Sequence, residues 1–424
     1  MDKIFFKTSG CSNNQAESEI MKGLTSEYFG LADNIEDAEI VVFNICTVKG
    51  DDVALASIKK IKEEFPNKIL IIGGCVPEHM IKNIRKVDPN CGILNTHNLD
   101  KILEVIEETL NNNPIQVMSP ERINKTRFKR IRTNKLIGII PISNSCLGSC
   151  TYCSVKPIKG DYYSFPVEEI VEDIENALKD GCKEIWITSQ DNGCYGMDIG
   201  TNLVELLQRI VEIPGDYYIR LGMMNPDHIY PFFDELVEVM KDKKFFKFVH
   251  IPVQSGSDEV LKKMNRHYTI KQFKEIVSKF REEIPMINIA SDMIVGFPEE
   301  TGKDFDETMK LIKDIQFDVL NVSKFRKRLG TKAYNMEQVD PEVIKQRANR
   351  AMTAFQWGSF ENNKKWVGWE GIILLDEEGT NNSLVGRNIF YKPIIIPNED
   401  GRFSLGQKLK VKINKCTTFD LRVE

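Results

Sequence analysis

No run of about 18 apolar residues occurs anywhere in the sequence, which leaves no candidate for a membrane-crossing helix. The opening residues MDKIFFKTSG enter a strand pattern directly and hold no signal-peptide core, so the cytoplasm is the expected compartment. Ten cysteines in 424 residues are too sparse for a disulfide scaffold. In a reducing compartment their clustering points to metal or redox chemistry instead. A net charge of −5 excludes binding to nucleic acid by bulk charge, so any such surface has to be local. What the chain does have, 42% hydrophobic and 28% charged residues, is the composition of a soluble globular protein. At roughly 100–200 residues per domain it has room for two to four separate cores.

Strand-like runs alternate with amphipathic helical segments, the signature of parallel α/β units. Over 1–115 the strands are KIFFKTSG, EIVVFNIC, KILIIGGC and GILNTH, with helical spacing between them, which predicts a small doubly wound α/β domain. Next, 116–135 reads as a linker with a basic face, because SPERINKTRFKRIRTNK carries seven Lys or Arg against Glu121 alone. From 136 to 360 six further strands (LIGIIPIS, EIWITSQ, YYIRLGM, FKFVHIPV, INIASDMIVGF and VLNVSKF) each lead into a helix or polar loop. That repeat predicts a partial (β/α)6 barrel whose working face is the loops at the C-terminal strand ends. A helical stretch closes this part, and short β-like runs separated by Gly, Asn and Pro over 361–424 predict a small all-β module.

Placed on this map, the cysteines fall into two groups. Cys11, Cys46 and Cys75 each lie just past a predicted strand of the first domain, and ligand sites in open α/β sheets lie beyond the carboxyl ends of the strands. Cys146, Cys150 and Cys153, in SNSCLGSCTYCSVK, follow the first barrel strand. Thiolates this dense repel one another unless a metal neutralises them, and small residues let the backbone fold around a bulky group. Structural zinc and ordinary iron–sulfur clusters use four protein ligands, and each group supplies three. Cys91, Cys182, Cys194 and Cys416 read as small buried hydrophobes.

CLGSCTYC resembles the C-x3-C-x2-C signature of radical S-adenosylmethionine (SAM) enzymes, with Tyr152 as the customary aromatic before the last cysteine. In that family three cysteines hold a 4Fe–4S cluster and SAM fills the open iron. The stretches GCSNNQAESE, NICTVK, GGCVPE, EIWITSQDNGCYG, RLGMMNP, HIPVQSGSDEVLKKMNRHYT and DMIVGFPEET extend the resemblance to the radical SAM methylthiotransferases. RLGMMNP and TSQDNGCYG are most similar to the archaeal and eukaryotic branch, known for tRNA N6-threonylcarbamoyladenosine methylthiotransferase activity. The resemblance implies an N-terminal methylthiotransferase domain, a radical SAM core and a C-terminal TRAM RNA-binding domain. It also implies two 4Fe–4S clusters, on Cys146, Cys150 and Cys153 and on Cys11, Cys46 and Cys75, with SAM as cofactor. The expected partners are a tRNA, a flavodoxin- or ferredoxin-like electron donor and a sulfur source, with no membrane. Because the C2–H bond of adenine is neither acidic nor readily displaced, the reaction needs a radical. No general acid or base is named.

Polar residues at barrel strand ends are the candidates for holding SAM: Gln190, Asp191, Arg220, Gln254, Ser255 and Asp292, beside Tyr152. Carboxylates and amides suit its ribose hydroxyls and ammonium, and an arginine suits its carboxylate. Three departures from the family pattern stand out: Ile45 for a threonine, Glu299 for a glycine, and Arg326 and Lys327 for a serine and a proline. In 361–424 ten Lys or Arg meet nine Asp or Glu, so an RNA surface there has to be a stripe. Lys408, Lys410 and Lys412 alternate along one strand face, with Lys415 nearby, and fit backbone-tracking contacts; a solubilising edge strand has the same pattern. Two other substrates belong to the same family, isopentenyladenosine in tRNA and an aspartate of a ribosomal protein. A zinc-stabilised RNA-binding protein is the non-enzyme alternative; it would be colourless, whereas iron–sulfur clusters would make the protein brown.

Overall fold

The structure, a computed structural model, describes residues 2–47 and 50–423; Val48 and Lys49 of the NICTVK motif lie outside the described residues. Its first unit is a parallel sheet of Lys3–Thr8, Gly30–Leu31, Ile40–Ile45, Ile69–Gly74, Gly92–Leu94 and Gln116–Val117, with the second strand at one edge and the first beside it. Ile40–Ile45 is buried at every position, as a parallel strand covered on both faces must be. Helices Ser12–Thr25 and Ile102–Leu110 cover one face through Ile20, Ile102 and Ile106, and Asp51–Glu64 and Glu78–Val87 cover the other through Ile58, Met80 and Ile84. Strand order reverses between Lys3–Thr8 and Ile40–Ile45, which opens the crevice where such sheets bind ligands. Cys11 and Cys46 lie at that reversal.

The six expected barrel strands form as Ile137–Pro141, Glu184–Thr188, Tyr218–Leu221, Phe248–His250, Asn288–Val295 and Val319–Lys324. They make two three-stranded parallel sheets, joined by a parallel bridge between Ile219 and Phe245. Ile140, Ile185, Ile219, Val249 and Ile289 are fully buried against the outer helices, so the barrel is held from outside. Two of those helices start at capping boxes, Thr269 with Gln272 and Thr301 with Asp304, which satisfy N–H groups that have no partner within the helix.

Helix Pro341–Lys364 leads out of the barrel to a six-stranded, mostly antiparallel sheet over 370–422, packed around Trp366, Ile373, Leu375 and Ile394. Tyr391 docks this sheet on the barrel, its ring 4.7 Å from Phe246 and 5.1 Å from Phe248, and Lys392 pairs with Asp318 at 2.9 Å. The segment before the barrel keeps Arg127 and Lys129 exposed and turns others of its cations inward. Lys125 and the guanidinium of Arg130 are buried, and Arg130 pairs with Asp173 at 2.7 Å. Arg132 reaches Asp180 at 3.4 Å with its own side chain nearly covered. The run straps the two α/β units together because acidic side chains of both units await its cations.

Candidate functional site

Cys11, Cys46 and Cys75 follow the strands Lys3–Thr8, Ile40–Ile45 and Ile69–Gly74, and the backbone before two of them requires glycine. Gly10 has φ +123°, and a Cβ there would lie 2.5 Å from Cys46 Cβ. Gly74 has φ +91°, and a Cβ would lie 2.0 Å from Asn44 Oδ1. Asn14 links the group: its Oδ1 lies 3.4 Å from Cys11 Sγ, its Nδ2 lies 4.0 Å from Cys75 Sγ, and it donates to Asn44 and to the Ile45 carbonyl. Cys11 is the N-cap of helix Ser12–Thr25, whose positive end therefore faces the thiols. Burial pushes the Cys75 thiol up to about 12, with Lys159 opposing. As a free thiol it stays protonated, and only a bound cation makes it a thiolate ligand. Buried side-chain atoms of Asn13 and Thr47, one beside Cys11 and the other beside Cys46, have no hydrogen-bond partner. Three thiols, unsatisfied polar atoms and a helix N-terminus fit a cluster.

Under this site lies a buried ionic knot. Glu17 Oε1 accepts hydrogen bonds from Lys125 Nζ and Lys159 Nζ, each at 2.6 Å, and from Thr96 Oγ1 at 2.6 Å. Both lysine side chains are 1% exposed and Glu17 is fully buried. Burial raises the Glu17 carboxyl, but the two ammonium groups outweigh it and hold it at about 2. Lys125 is pulled down to about 8 by burial, against Glu17. Burial lowers Lys159 too, but Cys75 and Glu17 reverse the sign and raise it.

The second group sits on the loop after Ile137–Pro141. Gly148 N–H donates to Cys146 Sγ at 3.2 Å, and Arg266 donates to Cys150 Sγ at 3.4 Å and to Asn225. Donors aimed at sulfur suit anionic thiolates, and such outer partners orient metal ligands. Asp191 Oδ2 lies 3.8 Å from Cys146 Sγ and 2.5 Å from His228 Nδ1. Burial lowers the His228 imidazole, but its hydrogen bond to Asp191 prevails and raises it to about 9. Cys194 is buried as expected, yet its donor and acceptor atoms converge with those of Asp191 and His228 within 4.8 Å. Cys194 is also the foremost cause, ahead of burial, of the raised Cys146 thiol.

A cleft of about 690 Å³ opens beside this loop, walled by Tyr152, Cys153, Gln254, Asp292, Asn321 and Arg326. A second, of about 310 Å³, lies between the first unit and the barrel, among Pro77, His79, His97, Gly160 and Leu329. Ser154 and Arg328 line both, and Arg328 donates to the Thr47 carbonyl just past Cys46. Cys153 lines the larger cleft, and Val76 and Pro77, next after Cys75 in the chain, line the smaller, so each cysteine group lies at or beside one of two clefts that share a wall.

The residues proposed from sequence for SAM divide by place. Tyr152, Gln254 and Asp292 line the larger cleft; Asp292 is bonded to His250 at 2.9 Å and to Asn321 at 2.8 Å. Gln190 accepts from Ser145 N–H at 2.9 Å, and Asp191 accepts from the N–H groups of Gly193 and Asn225, so both brace the cysteine loop. Ser255 is buried against Thr308. Arg220 lies among the rings of Trp186, Phe248 and Tyr391, 4.9 to 5.4 Å from their centroids. Of the lysine stripe, Lys408 pairs with Asp216 at 2.7 Å and Lys412 with Glu370 at 3.1 Å, while Lys410 is exposed between them. Glu299, where the family favours glycine, has φ +61°. Arg266, Asn225 and His228 were not singled out from sequence, although the first two sit in the quoted stretches MNRHYT and RLGMMNP.

Residues 140–312 match the model of the radical SAM superfamily, and residues 3–95 match the uncharacterized protein family UPF0004. A probable threonylcarbamoyladenosine tRNA methylthiotransferase of Pyrococcus horikoshii is 37% identical over 99% of this chain and 98% of its own. The threonylcarbamoyladenosine tRNA methylthiotransferase of Homo sapiens is 37% identical over 97% of this chain and 72% of its own. Among solved structures, the radical SAM methyltransferase TsrM of Kitasatospora setae, with cobalamin and a 4Fe–4S cluster bound, shares the fold. Its TM-score is 0.58 at 14% identity, over 78% of this chain and 77% of its own.

Proposed function

This chain belongs to the family of radical SAM threonylcarbamoyladenosine tRNA methylthiotransferases, and from that premise we propose that it inserts a methylthio group at C2 of N6-threonylcarbamoyladenosine beside a tRNA anticodon. The observation that carries this reading is the presence of two three-cysteine groups, each one ligand short, one lining and the other next to a pair of clefts that share Ser154 and Arg328. Enzymes of the family use SAM and two 4Fe–4S clusters, which supply a one-electron route past an unreactive aromatic C–H bond together with the transferable sulfur.

The protein's part is to bind, orient and exclude water. Cys146, Cys150 and Cys153 would hold the SAM cluster, and the Gly148 N–H and Arg266 offset thiolate charge there. Asp292, steadied by His250 and Asn321, offers a carboxylate to SAM hydroxyls or ammonium, with Gln254 beside it. Tyr152 packs edge-on against Phe297, with ring centroids 6.3 Å apart, and gives the cleft an apolar wall. Cys11, Cys46 and Cys75 would hold the second cluster beside the smaller cleft. Lys324 and Arg326 at the rim suit an anion, and the threonylcarbamoyl group ends in a carboxylate whereas an isopentenyl group has none. That contrast favours the first substrate.

The C-terminal sheet would serve as the TRAM module and track the RNA backbone through Lys410, Lys412 and Lys415, while Lys408 is committed to the barrel through Asp216. Turnover would need a flavodoxin- or ferredoxin-like electron donor and an external sulfur source. Two variants test the division of labour. With threonylcarbamoylated tRNA under anaerobic conditions, Cys75→Ala is expected to cleave SAM to 5′-deoxyadenosine without forming methylthiolated nucleoside, and Cys146→Ala to do neither. Retained methylthiolation in Cys75→Ala would contradict the two-cluster reading.

A further inference from the structure

The knot of Glu17, Lys125 and Lys159 contains more positive than negative charge. Two ammonium groups share one carboxylate oxygen, and no second carboxylate bonds to either among the described residues. Thr96 Oγ1, bonded to both lysines, is neutral, and Glu17 Oε2 has no partner at all. Burying an unbalanced cation is costly, so a knot serving only to join the units would balance its charges. The joint is indeed tight, since Glu17 comes from helix Ser12–Thr25, Lys125 from the strap, Lys159 from the short helix Lys156–Lys159 of the barrel and Thr96 from the loop after Gly92–Leu94. The knot lies close to the first cysteine group: Glu17 is one turn along helix Ser12–Thr25 from Asn14, whose side chain lies 3.4 Å from Cys11 Sγ and 4.0 Å from Cys75 Sγ, and Cys75 acts electrostatically on both lysines.

We propose that Lys125 and Lys159 form a buried cationic seat that balances the cluster held by Cys11, Cys46 and Cys75 and raises its reduction potential. The proposal rests on the reading that those cysteines hold a cluster. A 4Fe–4S core on three thiolates is a net anion, and reduction adds another negative charge, so a fixed buried cation beside it favours the reduced form. Glu17 holds both lysines in place and cancels only part of their charge. It is a positioning residue, as are the lysines; none of the three touches substrate.

The test uses full-length protein carrying Cys146→Ala, Cys150→Ala and Cys153→Ala, so that only the other group can bind iron, titrated with a reductant and followed by electron paramagnetic resonance. In that background Lys125→Met and Lys159→Met remove positive charge, while Glu17→Gln removes the balancing negative charge. The expected result is opposite shifts. Each lysine variant changes the reduced-to-oxidised ratio at a fixed potential at least tenfold toward oxidised, about 59 mV for a one-electron couple. Glu17→Gln moves it toward reduced, and Lys159→Arg, which keeps the charge, leaves it in place. The Glu17→Gln arm decides the matter if a methionine variant does not fold. Iron bound in all variants at an unchanged potential, or shifts of the same sign in all of them, would overturn the seat. No iron bound in the parent background would instead overturn the cluster reading beneath it.

Discussion

At the scale of residues, close backbone approaches shape the first cysteine group. Gly10 is the sharpest case, because a single methyl group there meets Cys46 Cβ at 2.5 Å on a backbone with φ +123°. Gly10→Ala is therefore expected to empty the first cysteine group and leave the second intact, so that iron falls from about eight to about four atoms per chain after anaerobic reconstitution. Iron and sulfide analysis beside far-ultraviolet circular dichroism reads this directly; full iron content in the variant would contradict the crowding argument. The six cysteines were legible in the sequence because each lies a residue or more past an apolar strand, where side chains converge. Arg266, His228 and Lys125 were not. Arg266 meets Cys150 across 116 residues, and Lys125 meets Glu17 across 108, and no local spacing reveals a partner so remote.

At the scale of elements, the barrel was legible strand by strand, since every strand is a short apolar run leading into a helix or loop. Within the basic run 122–135, Arg127 and Lys129 stay exposed while Lys125, Arg130 and Arg132 turn inward, and seven cations with no clear period carry no sign of which side is inward. Nor did local pattern disclose that Lys408 of the lysine stripe docks on the barrel; only the partner Asp216, 192 residues away, settles it. The docking of the C-terminal sheet turns on Tyr391, whose ring meets two phenylalanines and lies 5.4 Å from Arg220 and 4.9 Å from Arg387. Truncating so large a packed ring costs about 3 kcal/mol. Tyr391→Ala should lower stability in urea denaturation by about that amount and expose 370–422 to proteolysis, whereas Tyr391→Phe should keep most of both. Lys247, just before strand Phe248–His250, gives a pH signature. Burial pulls this lysine from its ordinary 10.5 to about 8, with Asp242 opposing, while its Nζ bonds the carbonyls of Met240 and Lys241. Its lowered value means the unfolded chain binds the proton more firmly, so the penalty is full below about pH 8 and is relieved as pH rises toward about 10.5. Unfolding free energy measured across that window should gain an upward contribution in the parent that Lys247→Met lacks.

At the scale of the whole molecule, three units come together so that cysteine groups from different sheets lie at or beside two clefts with a shared wall. The family followed from ordered motifs along nearly the whole chain; the shared wall of the two clefts did not, because Ser154 and Arg328 come from separate barrel loops and meet the first unit only in three dimensions. Arg328, reaching the Thr47 carbonyl, ties the last barrel strand to the Cys46 loop and keeps the clefts in register. The most direct measurement is mass spectrometry of the nucleosides of tRNA incubated anaerobically with reconstituted protein, SAM, sulfide and reductant, beside the same reaction with Cys146→Ala. The account predicts 2-methylthio-N6-threonylcarbamoyladenosine in the first reaction and none in the second. If SAM is cleaved to 5′-deoxyadenosine and no nucleoside of threonylcarbamoylated tRNA gains a methylthio group, the substrate assigned to these clefts is wrong.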